Sequence, residues 1–352
     1  MTGKPRAVVF AYHNVGVRCL KVLLARGIDV ALVVTHRDSP TETIWFESVA
    51  EAAAEHGIPV VIPDIQKQPS LFDAIEAARP DFIFSFYYRH MLPIEILALA
   101  PRGAYNMHGS LLPKYRGRVP VNWAVLNGET ETGATLHEMV VKPDAGVIVG
   151  QTAVPILPDD TAHRVFEKVT VAAEQTLWFC VPLLVAGTVP HLPNDLRRGS
   201  YFGGRKPQDG RIDWAQPAQK VYNLVRAVAP PYPGAFFDAM TSDGEQRFVV
   251  AEARLGCPRG GTSLTHPHPN PPLEGEGVIH PHPGPPPSTG SGQALEGKGV
   301  RVPGNFKPGP AVADNRIFGI CGDGGVLSIK RLLRNGNDVS AAELAALLGK
   351  DQ

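Results

Sequence analysis

The sequence predicts two domains, a doubly wound α/β domain followed by a smaller all-β domain. Over the first 190 residues, apolar strand-like runs alternate with amphipathic helical runs, which is typical of a parallel sheet covered by helices. From about residue 205 onward, short strands with glycine-rich turns follow, as in small β-barrels. The 352 residues of the chain are enough for two domains of ordinary size.

The hydrophobic pattern predicts the first domain element by element. Its strands are short apolar runs: Ala7–Phe10, Val30–Val34, Val60–Ile62, Phe82–Phe86 and Ala104–Met107. Its helices carry apolar faces, and several end near Gly or Pro: Gly16–Arg26, Ile44–His56, Leu71–Ala78 and Pro93–Ala100. The unbroken apolar run Phe82–Phe86 suits a strand that is buried on both faces. We therefore expect a mostly parallel, Rossmann-like sheet that binds its ligands at the carboxyl ends of its strands.

A segment rich in Pro and Gly, residues 191–204, is predicted to link the domains 1–190 and 205–352. The second domain opens with one amphipathic helix, Pro217–Val228, and closes with a helix Ser340–Leu348 that begins at a Ser/Glu capping box. Between them lie four predicted strands: Ala235–Ala239, Arg247–Leu255, Arg316–Cys321 and Val326–Leu332. Together they predict a small, OB-like β-barrel.

Residues 258–304 interrupt the barrel pattern with a segment rich in Pro, Gly and His. His-Pro-His-Pro occurs at 266–269 and again at 280–283. We expect a disordered insertion, because this composition cannot bury enough apolar surface to offset the entropy of ordering. The histidines at 266, 268, 280 and 282 could also be interpreted as a metal site. The interleaved prolines favour disorder, since metal ligands need a rigid surrounding shell.

Charge and cysteine usage restrict the class of function. Basic and acidic residues number 34 each, so the net charge does not favour a nucleic-acid partner. The four cysteines are far apart and form no disulfide or zinc pattern, as in a reducing compartment. No signal-peptide pattern and no membrane-spanning apolar run is apparent in the sequence. We expect a cytoplasmic protein without membrane insertion, whose partners are small molecules.

Candidate catalytic residues lie at the end of the last predicted strand of the first domain. Asn106 and His108 are two residues apart, so their side chains point to the same face of a strand. An amide can donate a hydrogen bond to a developing oxyanion, and an imidazole can transfer protons near neutral pH. The alternative is a satisfied polar pair at a strand end.

Asp144 lies in a second candidate segment, a tight loop between Pro143 and Gly146. A carboxylate held there could reach an imidazole, raise its pKa and fix its orientation. Aspartate in such a loop is more often only a turn former. Asn14–Gly16, at the first strand–helix turn, offers helix amides to a phosphate or is a plain turn, and the sequence favours neither.

These segments resemble the signature of the folate-dependent formyltransferases. The resemblance rests on Asn106-Met-His108, on the run Ser110–Gly117 (Ser-Leu-Leu-Pro-Lys-Tyr-Arg-Gly) and on Asp144-Ala-Gly146. It covers nearly the whole chain apart from residues 258–304. It is greatest to the formyltransferase domain of the bifunctional enzymes of lipid A modification, through segments that include Phe10–His13 and Phe82–His90.

The resemblance implies a role for each matching position. Asn106 and His108 would be the catalytic pair, and Asp144 would raise the pKa of His108. The co-substrate would be 10-formyltetrahydrofolate, and no metal would be needed. The folate site would be lined by His90, Met91, Leu92, Arg118, Val140, Val141, Lys142 and Pro143. Its wall would be shaped by Ser110, Leu111, Leu112 and Pro113.

The acceptor implied by the resemblance is the 4-amino group of UDP-4-amino-4-deoxy-L-arabinose, in lipid A modification and polymyxin resistance. Methionyl-tRNA and other aminosugar nucleotides are the alternatives. From residue 204 onward there are 16 Lys plus Arg and 14 Asp plus Glu, a small basic excess for binding tRNA. Glycinamide ribonucleotide is disfavoured because its formyltransferases usually have one domain. A non-catalytic folate binder is disfavoured by the three candidate catalytic residues.

Overall fold

The computed structural model describes residues 3–40, 42–63, 68–242, 244–256 and 307–349. The elements up to residue 190 are β1 (Arg6–Ala11), α1 (His13–Ala25), β2 (Asp29–Val34), α2 (Val49–Glu55), β3 (Val60–Val61), α3 (Gln68–Ala78), β4 (Phe82–Phe86), α4 (Ile94–Leu97), β5 (Ala104–His108), β6 (Arg116–Gly117), α5 (Pro120–Leu126), β7 (Glu131–Glu138), β8 (Ile148–Pro155) and α6 (Ala162–Ala186). The later elements are β9 (Tyr201–Phe202), α7 (Ala218–Val228), β10 (Ala235–Thr241), β11 (Gly244–Leu255), β12 (Gly309–Ala313), β13 (Arg316–Ile320), β14 (Val326–Arg334), β15 (Asn337–Asp338) and α8 (Ala341–Leu348).

Seven strands form the sheet of the first domain, in the order β3-β2-β1-β4-β5-β7-β8. The first five strands of this order are parallel, whereas β7 and β8 run antiparallel to their neighbours. The strand order reverses between β1 and β4, and doubly wound folds bind ligands in the crevice that such a reversal leaves at the carboxyl ends of the strands. The prediction of a doubly wound, mostly parallel sheet is confirmed.

Alternate residues of β1 show how the sheet is buried on both faces. Val9 belongs to the large apolar cluster formed with α1 and α6, whereas Val8 and Phe10 belong to the cluster on the other face, with α3. All five residues of β4 are buried, as expected of a central parallel strand. The core therefore follows directly from the apolar runs of the sequence.

Helix α6 is the longest helix of the described residues and was not predicted as an element. Thr161 caps its start by accepting a hydrogen bond from the amide of Arg164, and it ends at Gly187 in the left-handed region. By length and composition alone this helix could cross a membrane, but half of its most apolar window is buried. Because it packs on α1, β7 and β8, we interpret it as a core helix of the domain.

The predicted helix Ile44–His56 begins later than expected, at Val49. The side chain of Ser48 accepts a hydrogen bond from the amide of Glu51 and so caps the helix there. Before the cap, Trp45 and Phe46 pack their rings against His13. These tertiary contacts hold the preceding residues out of the helix, in spite of their helical pattern.

The second domain is built on an antiparallel sheet in the order β10-β11-β14-β13-β12, with β15 beside β14. This half-barrel confirms the predicted β-rich, barrel-type domain. The capping box predicted at the start of α8 is present, formed by Ser340 and Glu343. The insertion predicted at 258–304 lies outside the described residues, while the strands on either side of it, β11 and β12, belong to one sheet.

The predicted linker 191–204 is bound to the first domain over much of its length. Leu192 forms a bridge with Ile148 at the start of β8. Strand β9 pairs in parallel with β6, so that Tyr201 lies beside Arg116. The linker therefore adds one strand, β9, which forms a two-stranded ribbon with β6.

Candidate active site

Strands β5 and β7 bring three polar side chains together at the carboxyl end of β5. Asn106 and His108 alternate along β5 and share a face. Asn106 lies directly opposite His137 of β7 in the antiparallel register, and such pairs contact each other across a sheet. The Nδ2 atom of Asn106 lies 3.1 Å from Nε2 of His137. His137 is a site residue that the sequence analysis did not select.

Asp144 joins this group from the loop between β7 and β8. Its Oδ1 atom lies 3.5 Å from Nδ1 of His108 and 3.5 Å from Nε2 of His137. Its Oδ2 atom accepts a 2.8 Å hydrogen bond from the amide of Gly117. The side chain of Asn194, in the linker, donates to the carbonyl oxygens of the loop at Asp144 and Gly146, both at 3.0 Å. The carboxylate thus contacts both histidines, and the linker holds the backbone of its loop.

The hydrogen bonds of the two histidines determine what each ring can do. Nδ1 of His137 lies 2.8 Å from the carbonyl oxygen of Glu138 and so must donate to it. In the neutral ring, Nε2 of His137 is then the acceptor for the amide of Asn106. Nε2 of His108 lies 2.8 Å from the carbonyl oxygen of Tyr115 and must likewise donate. This leaves Nδ1 of His108, which faces Asp144, to gain or lose the proton.

Burial and charge act in opposite directions on this pair. Burial lowers the pKa of His108 below its ordinary value, while the Asp144 carboxylate and the Tyr115 carbonyl raise it by smaller amounts. The expected effect of Asp144 is therefore present, but burial outweighs it. Burial alone would raise the pKa of Asp144, yet the two histidines and the Gly117 amide hold it well below its usual range. Asp144 is a carboxylate at neutral pH, and His108 is neutral in the free enzyme.

The loop that follows β5 is anchored by buried hydrogen bonds. Ser110 is fully buried, and its hydroxyl donates to the carbonyl oxygen of Lys114 at 2.6 Å. Thr135 of β7 donates to the carbonyl of Ser110 at 2.6 Å and accepts from the amide of Leu112 at 3.1 Å. Of the predicted wall residues, Ser110 and Leu112 therefore fix the loop from inside, while Leu111 and Pro113 are half-buried.

A cavity of about 260 Å³ lies at the carboxyl end of β4. It brings three of the predicted folate residues together, namely His90, Met91 and Leu92, and its full lining is Pro63, Leu71, Tyr88, His90, Met91, Leu92, Pro93 and Ile96. The ring of His36 stacks on Tyr88 with 4.1 Å between centroids, and its Nε2 accepts from the amide of Arg89 at 2.9 Å. His36, two residues after the end of β2, thus packs against Tyr88 in the wall of the cavity.

The remaining predicted folate residues lie on exposed loops. Val140, Val141 and Lys142 are exposed on the loop that also carries Asp144, and Pro143 is half-buried. Arg118 is exposed, and its amide donates to the carbonyl of Phe202 at 2.9 Å. Within the described ranges, no group of three or more His, Cys, Asp or Glu residues is placed to hold a metal ion. The histidines at 266–282 lie outside these ranges.

Two family models match this chain. Residues 8–180 match the formyl transferase model, and residues 205–271 match the model of the formyl transferase C-terminal domain. The chain belongs to the formyl transferase family. It is therefore a formyl-transferring enzyme, with its polar cluster on β5 and β7 inside the matched catalytic domain.

Solved structures share this fold over two thirds or more of the chain. An N-formyltransferase from Helicobacter canadensis, in complex with folinic acid and dTDP-3-aminofucose, is 16% identical with a TM-score of 0.60 and covers 93% of this chain and 99% of its own. The sugar 3N-formyltransferase WlaRD, with dTDP and 5-N-formyl-THF, is 17% identical with a TM-score of 0.60 and covers 95% and 99%. A Shewanella sugar N-formyltransferase is 17% identical with a TM-score of 0.54 and covers 68% and 94%.

Proposed function

We propose that this formyl transferase moves the formyl group of 10-formyltetrahydrofolate onto the 4-amino group of UDP-4-amino-4-deoxy-L-arabinose. The observation that carries the chemistry is the cluster of Asn106, His108 and Asp144 at the carboxyl end of β5. Both substrates are small polar molecules, in keeping with a cytoplasmic enzyme that acts in lipid A modification.

The proposed donor is supported by the cavity beside the cluster. His90, Met91 and Leu92 give it one polar and two apolar groups, a lining that suits a flat heteroaromatic ring with hydrogen-bonding edges. Two of the structural relatives, the Helicobacter canadensis enzyme and WlaRD, were solved with a reduced folate. The exposed loop Val140–Pro143, with Arg118, is the remaining part of the proposed donor site.

The proposed acceptor class is supported by the same relatives, which were solved with dTDP or a dTDP-aminosugar. The choice of the arabinose derivative rests on the resemblance of segments such as Phe82–His90 to the lipid A-modifying enzymes. The balanced charge of the chain, 34 basic and 34 acidic residues, gives little attraction for tRNA. An aminosugar nucleotide is therefore favoured over methionyl-tRNA.

The geometry suggests a role in the reaction for each residue of the cluster. The amine nitrogen forms a bond to the formyl carbon, and the formyl oxygen gains negative charge that the Asn106 amide stabilises. The bond from the formyl carbon to the folate nitrogen then breaks. The amine loses one proton and the folate nitrogen gains one. Neutral His108 accepts the first proton, Asp144 stabilises the imidazolium, and His108 delivers a proton to the leaving nitrogen.

A formyl-transfer assay with parallel acceptors tests this proposal. The enzyme and 10-formyltetrahydrofolate are offered UDP-4-amino-4-deoxy-L-arabinose, a dTDP-3-aminosugar and charged methionyl-tRNA in separate reactions, with the Asn106→Ala variant as the control for enzymatic transfer. We expect efficient formylation of the UDP-sugar alone. Formylation of only the dTDP-sugar or only the tRNA would disprove the acceptor and leave the catalytic cluster in place.

A further inference from the structure

Arg116 of β6 is a buried cation next to the catalytic residues. It is only 9% exposed, and its Nε atom, shielded from solvent, has no hydrogen-bond partner among the described residues. None of the ion pairs formed within the described ranges includes it. A buried charge without a counter-ion is costly, so this guanidinium is suited to an anionic ligand.

The backbone of β6 fixes Arg116 relative to the catalytic pair. On one edge of this short strand, the carbonyl of Tyr115 accepts from His108, and the amide of Gly117 donates to Asp144. On the other edge, the amide of Arg116 itself donates to the linker. Both neighbours of Arg116 therefore contact catalytic side chains, and the guanidinium is near enough to His108 for its charge to contribute to lowering the pKa of that ring.

Tyr201 of β9 completes the surroundings of this cation. It pairs with Arg116 in register, and the guanidinium carbon lies 5.9 Å from the centroid of its ring. Tyr201 is 58% exposed, so a planar group can stack on its ring. An anion-binding group beside an exposed aromatic ring matches a nucleotide. The cavity at the end of β4 is lined by neither residue, so Arg116 is separate from that part of the donor site.

We propose that Arg116 binds the diphosphate of the nucleotide acceptor. The proposal rests on the aminosugar-nucleotide function proposed above. In a 4-amino sugar nucleotide, one sugar ring separates the amine from the diphosphate, so a cation fixed beside His108 can hold the phosphate while the amine lies at Asn106. A guanidinium offers paired N–H donors that match two phosphate oxygens, and a lysine ammonium does not.

Calorimetric titration of the intact enzyme tests the assignment without requiring turnover. UDP and the non-transferable donor analogue 5-formyltetrahydrofolate are titrated separately into the wild type, Arg116→Ala, Arg116→Gln and Arg197→Ala. Arg197 is the matched control, because its side chain is 91% exposed and paired with Asp195 in the same linker. We expect Arg116→Ala to bind UDP about 30-fold more weakly or worse, as for loss of a buried charged partner, with donor binding within about twofold of the wild type.

The titrations with UDP and with the folate analogue distinguish the possible roles of Arg116. Unchanged UDP affinity in Arg116→Ala would overturn the assignment of Arg116 while leaving the proposed acceptor class intact. Weakened binding of the folate analogue alone would also overturn it, and would indicate that Arg116 binds the carboxylates of the folate donor. A wild type that binds no UDP would remove both the assignment and the proposed acceptor. If Arg116→Ala binds neither ligand, the same comparison is made with Arg116→Gln, which keeps the three-carbon part of the side chain and a polar end without the charge. Weakened UDP binding with unchanged folate binding in this variant supports the assignment, and unchanged UDP binding overturns it.

Discussion

Replacing His137 with leucine removes the group that links Asn106 to Asp144. The side chain is 2% exposed, accepts from the Asn106 amide at 3.1 Å and donates to the Glu138 carbonyl at 2.8 Å. Leucine fills a similar volume and can make neither hydrogen bond. We expect two losses, one in folding stability and one in the orientation of Asn106.

Both losses follow from the two hydrogen bonds. A buried partner left unsatisfied destabilises the fold by about 1–3 kcal/mol. Because Asn106 and Glu138 are half-buried, the two together predict at most about 2–6 kcal/mol. For activity, an Asn106 amide without its acceptor is a poorly oriented oxyanion donor. The fall in kcat can then be no greater than the fall caused by complete removal of one oxyanion donor, about 100- to 1,000-fold.

A double-mutant cycle shows whether His137 acts through Asn106. We expect the double variant Asn106→Ala/His137→Leu to turn over at nearly the rate of Asn106→Ala alone, because the orienting residue has nothing left to orient. His191→Leu is the matched control, since His191 is exposed and its Nε2 contacts the side chain of Glu138 at 3.0 Å. If the two single losses instead multiply, His137 acts independently, and its proposed positioning role is wrong.

Three further predictions follow from the same structure. Asp144→Asn should lower kcat by up to about 10⁴-fold, as in other carboxylate–histidine pairs. Because the carboxylate raises the pKa of His108, the acid limb of the kcat/KM profile should move to lower pH; an unshifted limb would contradict this role. Burial lowers the pKa of His13 to about 3, so between about pH 6.5 and pH 3 the unfolded chain binds a proton that the folded protein does not. Stability to urea should therefore fall as the pH drops through this window, by at most about 1.4 kcal/mol per pH unit, and His13→Asn should have a shallower slope than the wild type. In Gly117→Ala, the alanine would have to keep the φ of +98°, and its Cβ would lie 2.2 Å from the Phe202 carbonyl oxygen. Both thermal stability and kcat should therefore fall. Wild-type values for both would show that the ribbon of β6 and β9 shifts to accommodate the methyl group.

The sequence predicted the parallel strands well because each is a short apolar run between helix signals. β4 matches its prediction at both ends, Phe82 and Phe86. The sequence failed where distant contacts decide the outcome. The residues before Val49 have a helical pattern, but the packing of Trp45 and Phe46 on His13 keeps them irregular. A local sequence pattern does not indicate contacts between residues that are distant in the chain.

At the site, the residues two apart on one strand could be predicted, because strand geometry alone places Asn106 and His108 on one face. His137 could not, since its position opposite Asn106 depends on the antiparallel register of β5 and β7. The sequence gives no direct signal of the register that places two residues 31 positions apart opposite each other. Knowledge of the register in which these two strands pair would have been sufficient to find it.

The sequence by itself determined the doubly wound fold, the β-rich second domain and the chemical groups at the end of β5. These depend on local periodicity, on turn residues and on side-chain types. Only the tertiary structure decided that a second histidine joins the cluster, that burial outweighs Asp144 in setting the pKa of His108, and that the linker places Arg116 beside the site. Strand register, desolvation and the pairing of distant segments depend on tertiary packing, so a local sequence pattern does not determine them.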